Sequence, residues 1–206
     1  MLFRSRQQKD YDRALEVYTD GIKYSKGYLQ LYANRSRILL DRGQADLALQ
    51  DLDYCLSKNP NLVNALTNRG VAHAMKSEWE KSLVDLNKAD SLQPNTSDIL
   101  SNRALVYYSV NRFPDAVRDL VKYIELNPED ADNINLLGLA YLNTNRNEEA
   151  MKSLNRAIEL KPREAAFYFN RFLIHRNLKD RKGELADLLK ARELGHPVDE
   201  IGRAHV

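Results

Sequence analysis

This chain of 206 residues contains a single cysteine, Cys55, and a single tryptophan, Trp79. One cysteine excludes an intrachain disulfide and a thiolate metal cluster, and it agrees with a reducing compartment. Apolar residues make up 43% of the chain, yet no run of them nears the ~18 residues of a membrane-spanning helix. Neither sign of charge prevails: 31 Lys and Arg stand against 29 Asp and Glu, a net of +2, spread evenly along the chain. With no basic stripe there is no electrostatic footprint for nucleic acid. Neither a nucleic-acid nor a membrane partner is expected. Met1-Leu2-Phe3-Arg4-Ser5-Arg6 holds no apolar segment of the secretory kind, so a cytoplasmic placement is the expectation. Also missing are a His pair at metal spacing, a Gly-x-Ser-x-Gly elbow and a glycine-rich phosphate loop. No catalytic residue, metal or cofactor is expected, and the chain reads as a non-enzyme.

What the chain does have is a step of 34 residues. Pro60, Pro94, Pro128 and Pro162 stand 34 apart, as do Tyr32, Leu66, Leu100, Ile134 and Tyr168. A fixed period of roughly 20–50 residues denotes stacked supersecondary units. In a unit beginning at Leu29, residues 29–41 carry Leu31, Ile38 and Leu39 at helical spacing. Gly43 breaks that helix. A second helix over about 46–58 puts Leu47, Ala48, Leu52, Cys55 and Leu56 on one side, and Pro60 ends it. The unit is helix–turn–helix, with turns near Gly43, Ser77, Asn111 and Asn145 and no strand over residues 10–195. Small residues recur where two helices must approach: Ser36, Gly70, Ala104 and Gly138 in the first helices, and Ala14, Ala48, Ser82, Ala116 and Ala150 in the second. Large residues such as Leu52, Leu86, Leu120 and Leu154 fill the space between them.

These columns resemble the tetratricopeptide repeat family. The similarity covers residues 1–198 in six units: 1–28 in part, then 29–62, 63–96, 97–130, 131–164 and 165–198. The resemblance implies an all-α, right-handed superhelical solenoid whose first helices line a concave groove. Four positions depart from the columns. Leu137 replaces the Arg of Arg35, Arg69, Arg103 and Arg171; Tyr123, Phe172 and Glu184 stand where small residues belong. Gly183 is expected to make room for the Phe172 ring.

Met1 falls at the seventh place of its unit, so the opening helix is expected at half length. Half-repeats leave apolar faces uncapped, and self-association or fraying at residues 1–10 is the expectation. Residues 199–206 fit no repeat. Ile201-Gly202-Arg203-Ala204-His205-Val206 resembles a translated sequencing adapter and is expected to make no packed contacts.

Few residues invite a chemical reading. Cys55 shares a column with Gly21, Ala89, Ala157 and Ala191, so it reads as small packing. His73 and His175 replace Leu39, Tyr107 and Tyr141 and lie three units apart. Trp79, Phe113 and Tyr11 read as inter-helix core. The column Arg35, Arg69, Arg103 and Arg171 reads as a set of inter-helix ion pairs in preference to a phosphate-reading stripe. Asn34-Arg35-Ser36 and Asn95-Thr96-Ser97 match the glycosylation pattern by chance.

The candidate site is the groove itself. The first helices are expected to present Asn34 and Arg37, then Asn64, Asn68, Val71 and Met75, then Asn102, Leu105 and Tyr108. Asn135 and Leu139 follow, then Phe169, Asn170 and Leu173. Asn34, Asn68, Asn102 and Asn170 share one register. An Asn amide offers donors and an acceptor that complement a peptide unit, so a row of them can hold an extended backbone; equally, these amides can bridge neighbouring helices. The row is similar to the asparagine ladder in the tetratricopeptide part of O-linked N-acetylglucosamine transferase. The carboxylate clamp of the chaperone-binding members would need basic residues at Asn64 and Asn68 and has none. The reading is a protein-interaction scaffold that takes an extended peptide or partner helix. The alternative is a regulatory or substrate-recruiting region of a larger enzyme, such as a glycosyltransferase.

Overall fold

The left-handed turn recurs five times and builds the fold. In the computed structural model, Gly43, Ser77, Asn111, Asn145 and Lys179 all have φ between 58° and 74°. At each, the amide of the next residue donates back to a carbonyl five residues earlier: Gln44 to Leu39, Glu78 to His73, Arg112 to Tyr107, Arg146 to Tyr141 and Asp180 to His175. This closure satisfies the last carbonyls of one helix and reverses the chain into the next. Side chains reinforce it in matched pairs. His73 meets Glu78 at 2.7 Å and His175 meets Asp180 at 2.8 Å. Where Tyr replaces His, Arg replaces the acid, and Arg112 and Arg146 lie 4.6 and 4.4 Å above the rings of Tyr107 and Tyr141.

The structure describes residues 2–25 and 27–197, with backbone alone for 2–9. Among these, eleven α-helices and no strand occur: α1 Leu2–Tyr24, α2 Leu29–Asp41, α3 Ala45–Lys58, α4 Val63–Met75, α5 Trp79–Leu92, α6 Ser97–Ser109, α7 Phe113–Leu126, α8 Ala131–Asn143, α9 Asn147–Leu160, α10 Ala165–Asn177 and α11 Arg181–Glu193. None of the described helices is long and apolar enough to cross a membrane. The expected adapter-like tail, 201–206, lies outside the described residues. The fold is all-α, as the periodicity predicts. The chain divides into two compact units, 1–106 and 107–206.

One expectation fails at the start. The half-length opening helix is absent, because α1 runs unbroken from Leu2 to Tyr24. Lys9 holds the turn register but makes no turn. Lys179 does turn, with the whole of α10 before it to pack back on α11.

Packing follows the columns. Ala48, Ser82, Ala116 and Ala150 are fully buried. A Cβ at Gly70 would sit 2.7 Å from Leu86 Cγ, and one at Gly138 would sit 2.9 Å from Leu154 Cγ. Two of the three exceptions, Tyr123 and Phe172, find local solutions. Tyr123 is half-buried and its hydroxyl donates to Asp130 at 2.7 Å. Phe172 is buried and stacks on Phe169 at 5.5 Å. Gly183 does not serve Phe172: its missing side chain leaves space for His175, whose ring a Cβ there would strike.

The arginine column is a ladder of forks. Arg35 donates through Nε and Nη2 to Asp51 at 2.8 and 2.6 Å, Arg69 to Asp85 at 2.7 and 2.9 Å, and Arg171 to Asp187 at 2.8 and 2.6 Å. The third nitrogen, Nη1, reaches back to the second helix of the preceding pair: Thr19, Asp53, Asn87 and Asn155 for Arg35, Arg69, Arg103 and Arg171. The guanidiniums of Arg35, Arg69 and Arg171 therefore each tie three helices. These forks raise the pKa of Arg35, Arg69 and Arg171 above the ordinary value. Position 137 breaks the ladder on all three sides at once. Leu137 replaces the Arg, Ser153 stands where Asp51, Asp85, Asp119 and Asp187 stand, and Val121 stands where Thr19, Asp53, Asn87 and Asn155 stand. A buried carboxylate without its cation is costly, so the three positions change together.

Candidate functional site

Within each unit the first helices of successive pairs touch, α2 with α4 and α8 with α10. No such approach occurs between α3 and α5, or between α9 and α11, among the described residues. The first helices therefore form the inner face of each unit.

In the first unit that face holds a depression of about 190 Å³. Arg37 and Ala33 come from α2; Val63, Asn64, Thr67 and Asn68 from α4; Asp98 and Ile99 from α6. Gln93 and Thr96 line it from the loop between α5 and α6. Those two loop residues escape a reading that takes the groove from first helices alone. The available signal is their position: each inter-pair loop leads into the first turn of the next inner helix. Of the expected residues on this unit, Arg37, Asn64, Met75 and Leu105 are exposed, and Asn34, Asn68, Val71 and Asn102 are half-buried. Met75 and Leu105 expose 47% and 52% of their surface, apolar side chains on an otherwise polar face.

The asparagines are already in use at one end. Asn68 Nδ2 donates to the Ala33 carbonyl at 3.3 Å and to Ser36 Oγ at 3.4 Å. Asn102 Nδ2 donates to the Asp98 carbonyl at 2.7 Å, within its own helix. Asn34 accepts from Gln30 at 2.9 Å. In the second unit Asn170 Nδ2 donates to Asn135 Oδ1 at 2.8 Å, the same backward step of 35 residues that Asn68 makes to Ala33. The bridging role that sequence leaves open is thus real for Asn68 and Asn170. Their donors are partly committed to the fold. The amide oxygens of Asn68, Asn102 and Asn170 accept no hydrogen bond among the described residues.

The second unit's inner face is more apolar. Tyr108, Leu139 and Leu173 are half-buried there, and Asn143 donates to the Tyr108 hydroxyl at 3.4 Å. Phe169 is partly covered by His196, stacked at 4.4 Å and 14°. Elsewhere the bland readings hold. Cys55 is fully buried, lies 3.4 Å from the Leu29 carbonyl, and burial pushes its thiol up to about 11. The arginines that a phosphate would need are engaged by carboxylates.

Comparisons with known proteins point to one kind of repeat. A family model of the tetratricopeptide repeat matches residues 101–192. Tetratricopeptide repeat protein 12 of Mus musculus is 30% identical over 73 residues, which are 35% of this chain and 10% of that relative. The solved structure of YrrB, described as a TPR protein with an unusual peptide-binding site, superposes with a TM-score of 0.76 at 20% identity, covering 89% of this chain and 94% of YrrB. MamA from Desulfovibrio magneticus RS-1 gives a TM-score of 0.75 at 24% identity, over 83% of this chain and 97% of MamA.

Proposed function

We propose that this chain, which matches the tetratricopeptide repeat over residues 101–192, is a protein-interaction scaffold whose inner faces hold an extended peptide. The observation that carries the reading is the pair of open amide oxygens of Asn68 and Asn102, set on neighbouring inner helices beside a polar depression. Packed helices lie about 8–10 Å apart, which is roughly three residues of extended chain. Two amide oxygens at that spacing match backbone N–H groups of one strand, whatever its side chains. Met75 and Leu105 offer apolar contact alongside. The peptide-binding site ascribed to YrrB supports the same use of this fold.

The test begins with decapeptides selected from a random phage-displayed library against the intact chain. Titrating a selected peptide into labelled protein should shift the side-chain amide resonances of Asn34, Asn68 and Asn102. Asn155, on the outer side, should stay still. A peptide that shifts outer asparagines and leaves the inner ones unmoved contradicts the reading.

Self-association uses other surfaces. Val17 and Tyr24 of α1 expose 63% and 89%, and Leu185 and Leu189 of α11 expose 58% and 49%. Sedimentation equilibrium should show a mass that rises with concentration, and Leu185→Glu/Leu189→Glu should lower it.

A further inference from the structure

Two charges on the depression of the first unit have nothing to neutralise them among the described residues. Arg37, on α2, and Asp98, in the first turn of α6, line it from opposite sides of α4. Neither the guanidinium nor the carboxylate has a hydrogen bond or an ion pair among the described residues, and both are exposed. This sets Arg37 apart from the arginine column of the inner helices: Arg35, Arg69 and Arg171 each fork onto an aspartate, and Arg103 pairs with Asp90 at 2.8 Å. The uncharged groups between the two, Asn64, Thr67, Asn68 and Thr96, carry no competing ion. The depression is therefore positive on its α2 side and negative on its α6 side.

From this we infer that the first unit takes a peptide segment with one acidic and one basic side chain, in a single order. The acidic side chain meets Arg37 and the basic one meets Asp98. The asparagine amides hold the backbone between them, so the inference rests on the proposed peptide-binding reading. Spacing follows from the helices. α2 and α6 are two helix packings apart, at most about 20 Å, and an extended chain advances about 3.3 Å per residue. The two ligand charges should thus fall within about five residues of one another. A segment with the charges exchanged places like against like at both ends, so the pair selects ligand direction as well as composition.

The order of charges is what the experiment reads. Random decapeptides displayed on phage are selected in parallel on the wild-type chain and on Arg37→Glu/Asp98→Lys. Neither residue has a partner to lose, and circular dichroism and melting should match between the two proteins. Wild type should enrich an acidic and a basic residue within about five positions in one order, and the exchanged variant should enrich the reverse order. A wild-type peptide should bind the exchanged variant about 10-fold more weakly, and Arg37→Ala/Asp98→Ala about 3-fold more weakly. Raising salt should weaken the wild-type complex. Peptides that lose affinity on Asn68→Ala but show no charge order, or the same order on both proteins, overturn the inference and leave the peptide-binding reading standing. Peptides insensitive to both sets of variants, or no selection at all, overturn both.

Discussion

Lys179 carries a φ of 60° and Ser77 one of 58°, while Gly43 fills the same register at 74°. A side chain in this region costs roughly 1–2 kcal/mol, part of which glycine returns as unfolded-state entropy. Lys179→Gly and Ser77→Gly should each stabilise by about 0.5–1 kcal/mol, raising the melting temperature by about 1–4 °C. Destabilisation in urea by either variant would show that the native side chain contributes contacts outweighing the strain. Cys55 gives a second check at this scale. Its fully buried thiol, held near 11, should resist disulfide reagents at neutral pH until the protein opens, and Cys55→Ala should leave binding unchanged. The packing role was legible from its column of small neighbours. The partner of each asparagine was not, because whether an amide turns to its own helix, as Asn102 does, or to the preceding one, as Asn68 does, depends on a rotamer.

Between helices, the forks decide what can be changed. Asp85 is 4% exposed and accepts from Arg69 through two nitrogens. Arg69→Leu alone strands that carboxylate and should cost roughly 3–5 kcal/mol in chemical denaturation. The triple variant Asp53→Val/Arg69→Leu/Asp85→Ser copies the arrangement at 121, 137 and 153 and should recover most of the loss. Equal destabilisation of the single and triple variants would mean that the three positions are not coupled. The helix boundaries were largely legible: turns at Gly43, Ser77, Asn111 and Asn145 follow from the 34-residue register, with Gly43, Asn111 and Asn145 suited to positive φ, and α2, α4, α6, α8 and α10 follow from apolar spacing. The unbroken α1 was not, since the register marks a turn at Lys9 and the helix runs through it. The ion pairs were legible as a column, but their three-way span was visible only once the second helices were placed on either side.

At the scale of the whole molecule, the 34-residue step marked the helix-pair architecture and the order of its helices, and left the ligand open. Each unit presents its own inner face, polar around Asn64, Asn68 and Asn102 in the first and more apolar around Tyr108, Leu139 and Leu173 in the second. The central claim is that the asparagine amides of the first unit hold a peptide backbone. Each lost hydrogen bond is worth about 0.5–1.5 kcal/mol, so two together weaken binding by about 10-fold or more. Asn68 also bridges to Ala33 and Ser36 at 3.3 and 3.4 Å, so its replacement should cost at most about 1 kcal/mol of stability. The decisive measurement is calorimetric titration of a library-selected decapeptide into the wild-type chain and into Asn68→Ala/Asn102→Ala. The account predicts an affinity at least ~10-fold lower for the double variant with its fold intact; unchanged affinity would contradict it.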